Sequence, residues 1–177
     1  MKKKILFSLL IIVMIFTMIG CKTTKKENNS NKESVVDKTL FKIKDKDFHL
    51  DTDEEFEGLK YKTSSEFKKV NNVTPSSTYV QYNYQPESSS NYFYLRILYY
   101  KNKDINFAKN DYVGEENLEY KDVTINNIDC KMIDEGRTDG TIHHYFIIKD
   151  GNVYIIDFIS QNDIKDFENK VLDTIRF

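Results

Sequence analysis

Beyond residue 40, apolar and polar residues alternate along most of the chain, the pattern typical of half-buried β-strands. The period-2 alternation runs through Phe48 and Leu50; Leu59, Tyr61 and Thr63; Val80, Tyr82 and Tyr84; and Phe93, Leu95, Ile97 and Tyr99. Two further strand pairs flank Asn126-Asn127 and Asp150-Gly151, residue pairs that tolerate positive φ and favour two-residue hairpin turns. The second of these predicts a hairpin of Thr141–Lys149 with Asn152–Ser160.

Helical spacing of apolar residues is found in two segments. From Asp163 to Ile175 the apolar side chains fall on one stripe, and Asn162 is the candidate N-cap. The pattern from Asp104 to Val113 is weaker and ends at Gly114. Runs of strands with one central and one terminal helix predict an α+β fold, in which helices cover a central antiparallel sheet.

The order of the predicted strands and helix from Leu59 to Phe177 is similar to that of a known protein family. It comprises a hairpin with a short turn, a second hairpin with Tyr145-Phe146 before the Asp-Gly turn, and a C-terminal helix closing on Thr174-Ile175-Arg176-Phe177. This order resembles the PsbP-like extracytoplasmic modules, which occur as photosystem II extrinsic subunits and as bacterial lipoproteins. The resemblance implies an α/β/α sandwich and a non-enzymatic binding or accessory role, and it assigns no functional residue.

The first 21 residues have the pattern of an export signal. Lys2–Lys4 form a positive segment, and the apolar run Ile5–Ile19 follows it. The run fits the hydrophobic region of a signal peptide and is shorter than the roughly 20 residues of a bilayer span. Its end, Met18-Ile19-Gly20-Cys21, resembles the lipobox of bacterial lipoproteins, although that family usually has Leu where Met18 stands.

In lipoproteins the lipobox cysteine takes a diacylglycerol and signal peptidase cuts before it. The resemblance therefore implies a signal peptide over residues 1–20 and a lipid on Cys21 that holds the protein to the outer face of the cell membrane. The alternative interpretation is an uncleaved helical anchor with a coincidental cysteine. Both interpretations place the remainder of the chain outside the cytoplasm.

Composition divides the rest of the chain into a tether and one domain. Residues 21–39 are rich in Lys, Asn and Ser without apolar periodicity, which predicts a flexible tether. The remaining residues, 40–177, suit one globular domain. The chain has a formal net charge of -2, and acidic residues outnumber basic ones in the domain, so no basic surface for nucleic acid is indicated.

An acidic segment is the candidate metal site. It has a titratable residue at every second position, at Asp45, Asp47, His49, Asp51 and Asp53. One extended strand would place all five on one face, where carboxylates suit Ca²⁺ or Mn²⁺ and the imidazole suits Zn²⁺. An EF-hand loop is excluded because Phe56 stands where glycine is required. The same alternation also fits a solvated strand face, which is the favoured interpretation.

Two adjacent histidines lie in the predicted strand Thr141–Lys149. His143 and His144 must point to opposite faces, so they cannot chelate one ion together. We expect His144 to be buried and hydrogen-bonded beside Ile142. His143 is a candidate ligand contact, and also a candidate pH-sensitive partner of Glu135 or Asp139.

Three tyrosines are the other candidate ligand contacts, and one cysteine is a candidate nucleophile. Tyr79, Tyr92 and Tyr94 lie in aromatic stretches that are able to form a platform for a glycan or a protein. The strand containing Tyr94 is apolar on both faces, which favours a central strand instead. Cys130 alternates with apolar residues, so we expect a buried structural thiol.

No catalytic motif is present: the sequence has no GxSxG, HExxH, P-loop, GxGxxG or paired CxxC. We therefore expect no enzyme and no cofactor, but a membrane-anchored lipoprotein whose domain binds an envelope protein or a small ligand. One alternative is a cation-binding lipoprotein that uses the Asp45–Asp53 segment. The second is a hydrolase whose site matches no motif.

Overall fold

Strands dominate the structure, a computed structural model that describes residues 37–43, 45–72, 78–86, 93–114 and 117–177. Of these residues 54% lie in strands and 13% in helices. The elements are β1 (Leu40–Ile43), β2 (Lys46–His49), β3 (Thr52–Phe56), β4 (Leu59–Thr63), β5 (Phe67–Asn72), β6 (Val80–Pro86), β7 (Phe93–Tyr100), α1 (Ile105–Tyr112), β8 (Lys121–Ile125), β9 (Ile128–Asp134), β10 (Thr141–Lys149), β11 (Asn152–Ser160) and α2 (Lys165–Leu172).

Seven strands form one antiparallel sheet in the order β5-β6-β7-β11-β10-β9-β8. The predicted hairpin of β10 and β11 is confirmed, with register from Thr141↔Ser160 to Lys149↔Asn152. Its turn residues Asp150 and Gly151 have φ values of 51° and 75°, as a type I′ turn requires. The predicted Asn126-Asn127 turn likewise has positive φ at both residues and joins β8 to β9.

The expected α+β fold with helices covering the sheet is wrong. Both helices have only eight residues, about 12 Å of length, whereas seven strands span about 29 Å. Helix α1 covers one face together with Leu118 and Tyr120. The opposite face is covered by the separate hairpins β1–β2 and β3–β4 and by α2. The α/β/α sandwich implied by the PsbP-like resemblance is therefore contradicted, because paired strands do the covering that helices were expected to do.

The two helices are close to the predicted segments but differ in their ends. Asp104 caps α1, accepting a hydrogen bond from the amide of Phe107 at 2.8 Å. Helix α2 begins after Ile164, so Asn162 is not its N-cap. It ends before Asp173, and the chain beyond it pairs with β4 through Arg176 and Lys60. This pairing is why the helix does not continue to Ile175.

Aromatic packing fixes the position of α2 against the sheet. The ring of Phe167, fully buried, lies 4.6 Å from Phe41 of β1, 5.0 Å from Phe93 of β7 and 5.8 Å from Phe158 of β11. One helical residue thereby joins the sheet to the covering hairpin. The next residue, Glu168, is consequently held against β10.

Residues Asp37–Phe177 form one compact unit. The predicted signal peptide, Cys21 and most of the predicted tether lie outside the described residues. Among the described residues, there is no helix with the length and apolarity that crossing a bilayer requires.

Candidate functional site

The acidic segment does not converge on a common point. Strand β2 ends at His49 and β3 starts at Thr52, and the two strands belong to different hairpins, so the alternation does not run along one strand. Within the described part of the chain, no three His, Cys, Asp or Glu side chains are placed to hold a metal ion. Asp45 lies in the β1–β2 turn, Asp47 is 3.3 Å from Lys42, His49 is 3.5 Å from Asp37, and Asp53 is 3.6 Å from Lys62.

Asp51 is the member of this segment with a clear structural role. Its carboxylate accepts hydrogen bonds from both the backbone amide and the hydroxyl of Ser65, each at 2.7 Å. These hydrogen bonds lower the pKa of Asp51, since they favour the ionised carboxylate. The residue ties the start of β3 to the turn after β4 instead of serving a ligand.

The candidate tyrosines have different surroundings. The ring of Tyr79 packs 5.0 Å from Tyr100 and 5.9 Å from Tyr112, on the α1 face of the sheet. Tyr94 lies half-buried in β7, paired with Ile159 of β11. Tyr92 lies outside the described residues.

His143 is the candidate that lies in a cleft, and its partner is Glu168 of α2. The Nδ1 atom of His143 donates to the two carboxylate oxygens of Glu168 at 2.8 and 3.0 Å. Glu168 is only 4% exposed, and its Oε1 also accepts from the hydroxyl of Tyr145. The hydrogen bond that His143 donates to Glu168 raises the pKa of His143 against the opposing effect of burial, and the charges of Glu168 and Asp134 add to the rise.

The cleft lies between β10 and α2 and has a volume of about 330 Å³. We call it the α2 cleft; it is lined by Thr141, His143, Tyr145, Asp163, Lys165, Glu168 and Asn169. The Nε2 atom of His143 is 3.8 Å from Asp134 Oδ1, too far for a hydrogen bond. This nitrogen therefore keeps its hydrogen-bonding capacity for a group that enters the cleft.

Sequence reasoning missed Glu168, although a signal for it exists. The predicted stripe runs through Ile164, Phe167, Val171 and Leu172, and Glu168 occupies the i+4 position of Ile164 on the same face. A carboxylate on a buried face needs a partner, because an unpaired buried charge is strongly unfavourable. The sequence thus indicated that Glu168 must be paired, but it gave no way to identify His143 as the partner.

The opposite face of the sheet carries a row of polar side chains on four adjacent strands. Asn83 of β6, Arg96 of β7, Asp157 of β11 and His144 of β10 are neighbours in register. We call these four residues the polar row. Arg96 Nε donates to Asn83 at 2.9 Å, and His144 Nδ1 donates to Asp157 at 2.8 Å.

Helix α1 and the chain after β9 complete the polar row. Tyr112, the last residue of α1, donates its hydroxyl to Asp157 and accepts from Arg96. His144 Nε2 donates to Glu135 at 2.9 Å, so both nitrogens of this buried ring face carboxylates. Burial lowers the pKa of His144, but the hydrogen bonds and charges of Asp157 and Glu135 outweigh it, and the net pKa is raised.

These contacts confirm the burial of His144 and correct the partners proposed for His143. Glu135 pairs with His144, and Arg137 in turn pairs with Glu135 at 2.9 Å. Asp134 is the residue directly opposite His143 in the β9–β10 register. Because side chains alternate between faces, Asp134 lies on the His143 face and Glu135 on the other.

Neither histidine has a nucleophile hydrogen-bonded to it within the described residues. Cys130 is buried, its thiol donates to the carbonyl of Val123 at 3.4 Å, and burial raises its pKa to about 11. Such a thiol is protonated and inert at neutral pH. The α2 cleft is lined by hydrogen-bonding and charged side chains.

Comparison with known proteins adds no relative: no family model, no curated protein and no solved structure matches this chain.

Proposed function

We propose that this protein is a lipid-anchored extracytoplasmic module that binds a ligand in the α2 cleft. Support for the anchor comes from Lys2–Lys4, the following apolar run and the lipobox-like end at Cys21. Support for binding comes from one observation: His143 lines an open cleft with Nδ1 held by Glu168, while Nε2, 3.8 Å from Asp134, makes no hydrogen bond. A fixed imidazole in an open cleft is arranged to recognise a ligand without first having to reorganise.

The carboxylates around His143 favour binding over catalysis. A general base needs a lone pair, and an imidazole held between the carboxylates of Glu168 and Asp134 is stabilised as imidazolium. The imidazolium is a hydrogen-bond donor at both nitrogens. We therefore assign His143 a binding role, with Glu168 as the residue that orients it.

The anchor is tested by replacing Cys21 with serine in the producing bacterium. We expect the wild-type protein to fractionate with membranes and to label with radioactive palmitate. The C21S variant should lose the label and leave the membrane fraction, because two acyl chains supply the anchoring energy. A serine variant that stays membrane-bound would contradict lipidation and favour the uncleaved anchor.

The binding role is tested by screening small metabolites for a rise in the melting temperature of the full chain. A ligand that binds only the folded state stabilises it by RT ln(1 + [L]/Kd), about 2.7 kcal/mol at a hundredfold excess over Kd. We expect a hit whose effect is lost in His143→Gln and kept in His49→Gln, the control at an exposed histidine of β2. Equal loss in both variants, or no hit, would contradict the assignment.

A hydrolase is the second candidate, and one observation favours it. Glu168 binds Nδ1 of His143, as the carboxylate of an acid–base dyad does, and the hydroxyl of Thr141 lines the same cleft. A chromogenic ester assay above the pKa of His143 tests it, with Thr141→Val as the variant. Ester turnover that requires both His143 and Thr141 would contradict the binding proposal and support a hydrolase.

The other earlier interpretations carry less weight. The cation-binding alternative lacks support, because among the described residues no three potential metal ligands lie close enough together to hold an ion. Kinship with the PsbP-like lipoproteins stays a prediction, because it rests on element order alone.

A further inference from the structure

We infer that the α2 cleft binds the oxyanion of a small ligand, a carboxylate or a phosphate group, through Nε2–H of His143 and Nζ of Lys165. This inference rests on the proposed binding function and adds the chemical class of the ligand.

The unpaired polar groups of the cleft are mainly donors. Within the described residues, Lys165 Nζ, the side-chain amide of Asn169 and the hydroxyl of Thr141 have no hydrogen-bond or ion-pair partner, and all three residues line the cleft. The acceptors are largely occupied. Both oxygens of Glu168 are bound by His143, and Asp163 Oδ1 accepts from the amide of Lys165 at 3.0 Å. A ligand that accepts hydrogen bonds satisfies this set better than one that donates them.

The buried carboxylate of Glu168 determines the charge presented by His143. A neutral imidazole with Nδ1–H bound to Glu168 would offer only a lone pair at Nε2, whereas the imidazolium offers an N–H. Hydrogen bonds from a charged donor to a charged oxygen are roughly twice as strong as neutral ones. His143 and Lys165 together supply two such donors from β10 and from the first turn of α2.

The carboxylates around the cleft and its small volume together restrict the kind of anion that it can bind. Asp134, which is 3.9 Å from Lys121, flanks His143, and Asp163 lines the rim, so carboxylates stand beside the two cations of the cleft. A polyanionic surface such as an anionic membrane or a wall polymer would meet these carboxylates and be repelled. The volume of about 330 Å³ is at the small end of ligand sites. We therefore infer a compact ligand with one anionic group.

Small probes of matched shape test the inference by NMR on the full chain in detergent micelles. The probes are acetate and inorganic phosphate, with acetamide as the neutral control and ethylammonium as the cationic control, at equal ionic strength. We expect acetate or phosphate to shift the ring signals of His143 saturably, and the two controls to leave them unchanged. The affinity should fall severalfold as the pH rises through the pKa of His143, because Nε2 then loses its proton.

Lys165→Gln is the decisive variant, because Lys165 is exposed and its loss leaves the buried Glu168 pair intact. We expect it to weaken acetate binding roughly fivefold to tenfold. Lys149→Gln is the matched control, an exposed lysine at the far end of β10, and should leave the affinity unchanged.

Three outcomes overturn the inference. Equal effects of Lys165→Gln and Lys149→Gln would mean nonspecific attraction. Saturable shifts with acetamide or ethylammonium alone would refute the oxyanion and leave the proposed binding function standing. If no probe shifts the ring signals of His143 but the metabolite screen gives a hit, only the ligand class is refuted. If neither the probes nor the metabolite screen shows binding, the proposed binding function is refuted as well.

Discussion

Asp157→Asn tests whether the polar row stabilises the fold. Asp157 is fully buried and accepts hydrogen bonds from His144 and Tyr112. The substitution keeps the shape of the side chain and removes its charge. His144 then keeps Glu135 as a charged partner, whereas the guanidinium of Arg96 loses the carboxylate beside it in register, so one partly buried positive charge is left uncompensated.

The expected loss is large compared with the stability of a domain. Removing one member of a buried ion pair costs about 3–5 kcal/mol, because the remaining charge is desolvated without compensation. A single domain is stable by about 5–15 kcal/mol in total. At this chain length the loss corresponds to a fall in melting temperature of roughly 10 °C.

Urea unfolding followed by circular dichroism measures the effect, with Asp150→Asn as the control. Asp150 is exposed in the turn of the same hairpin at positive φ, which asparagine tolerates, so we expect a change within about 0.5 kcal/mol. A loss in Asp157→Asn no larger than in Asp150→Asn would refute the view that the row is a coupled ion-pair network.

The pH dependence of stability gives an independent check. The folded pKa of His144 is raised above its unfolded value of about 6.5. Its contribution is therefore complete below that pH and is lost as the pH rises through the folded pKa. The free energy of unfolding of the wild type should decline over this range, with His143 contributing in the same direction. Asp157→Asn should make the decline shallower, and a wild-type stability that rises with pH here would contradict the argument.

Three further predictions concern the packing of the domain. Cys130 should resist a thiol reagent in the folded Cys21→Ser variant and react once urea unfolds it, since burial raises its pKa to about 11; native-state reaction at the rate of a free thiol would disagree. Gly140→Ala should cost about 1–3 kcal/mol in urea unfolding, because a Cβ there would lie 2.3 Å from the backbone oxygen at the end of β11; unchanged stability would count against this contact. The hydroxyls of Tyr61 and Tyr84 lie 2.5 Å apart in the core, so each single Phe variant should cost about 1–3 kcal/mol and the double variant less than their sum; additive losses would show that the two are not paired.

Much of the sheet was predictable because the interactions that define it are local. The turn residues Asp150 and Gly151 favour positive φ, and the strands they join are neighbours along the chain. The register of β10 and β11 therefore follows from a few adjacent residues. Alternation likewise placed His143 and His144 on opposite faces before any partner was known.

Contacts between residues far apart in sequence decide which elements pack on the faces of the sheet and which residues pair with His143 and His144. Alternation identified strands before residue 63 but could not tell whether they would extend the sheet or fold over its face as hairpins. Likewise, a helical pattern indicates that Glu168 faces inward, but only the packing of Phe167 between the sheet and β1 brings it to His143. The sequence by itself determined the strands, their turns and the lipobox-like leader pattern. The tertiary structure decided the layers and the α2 cleft, because these arise where separate elements pack together.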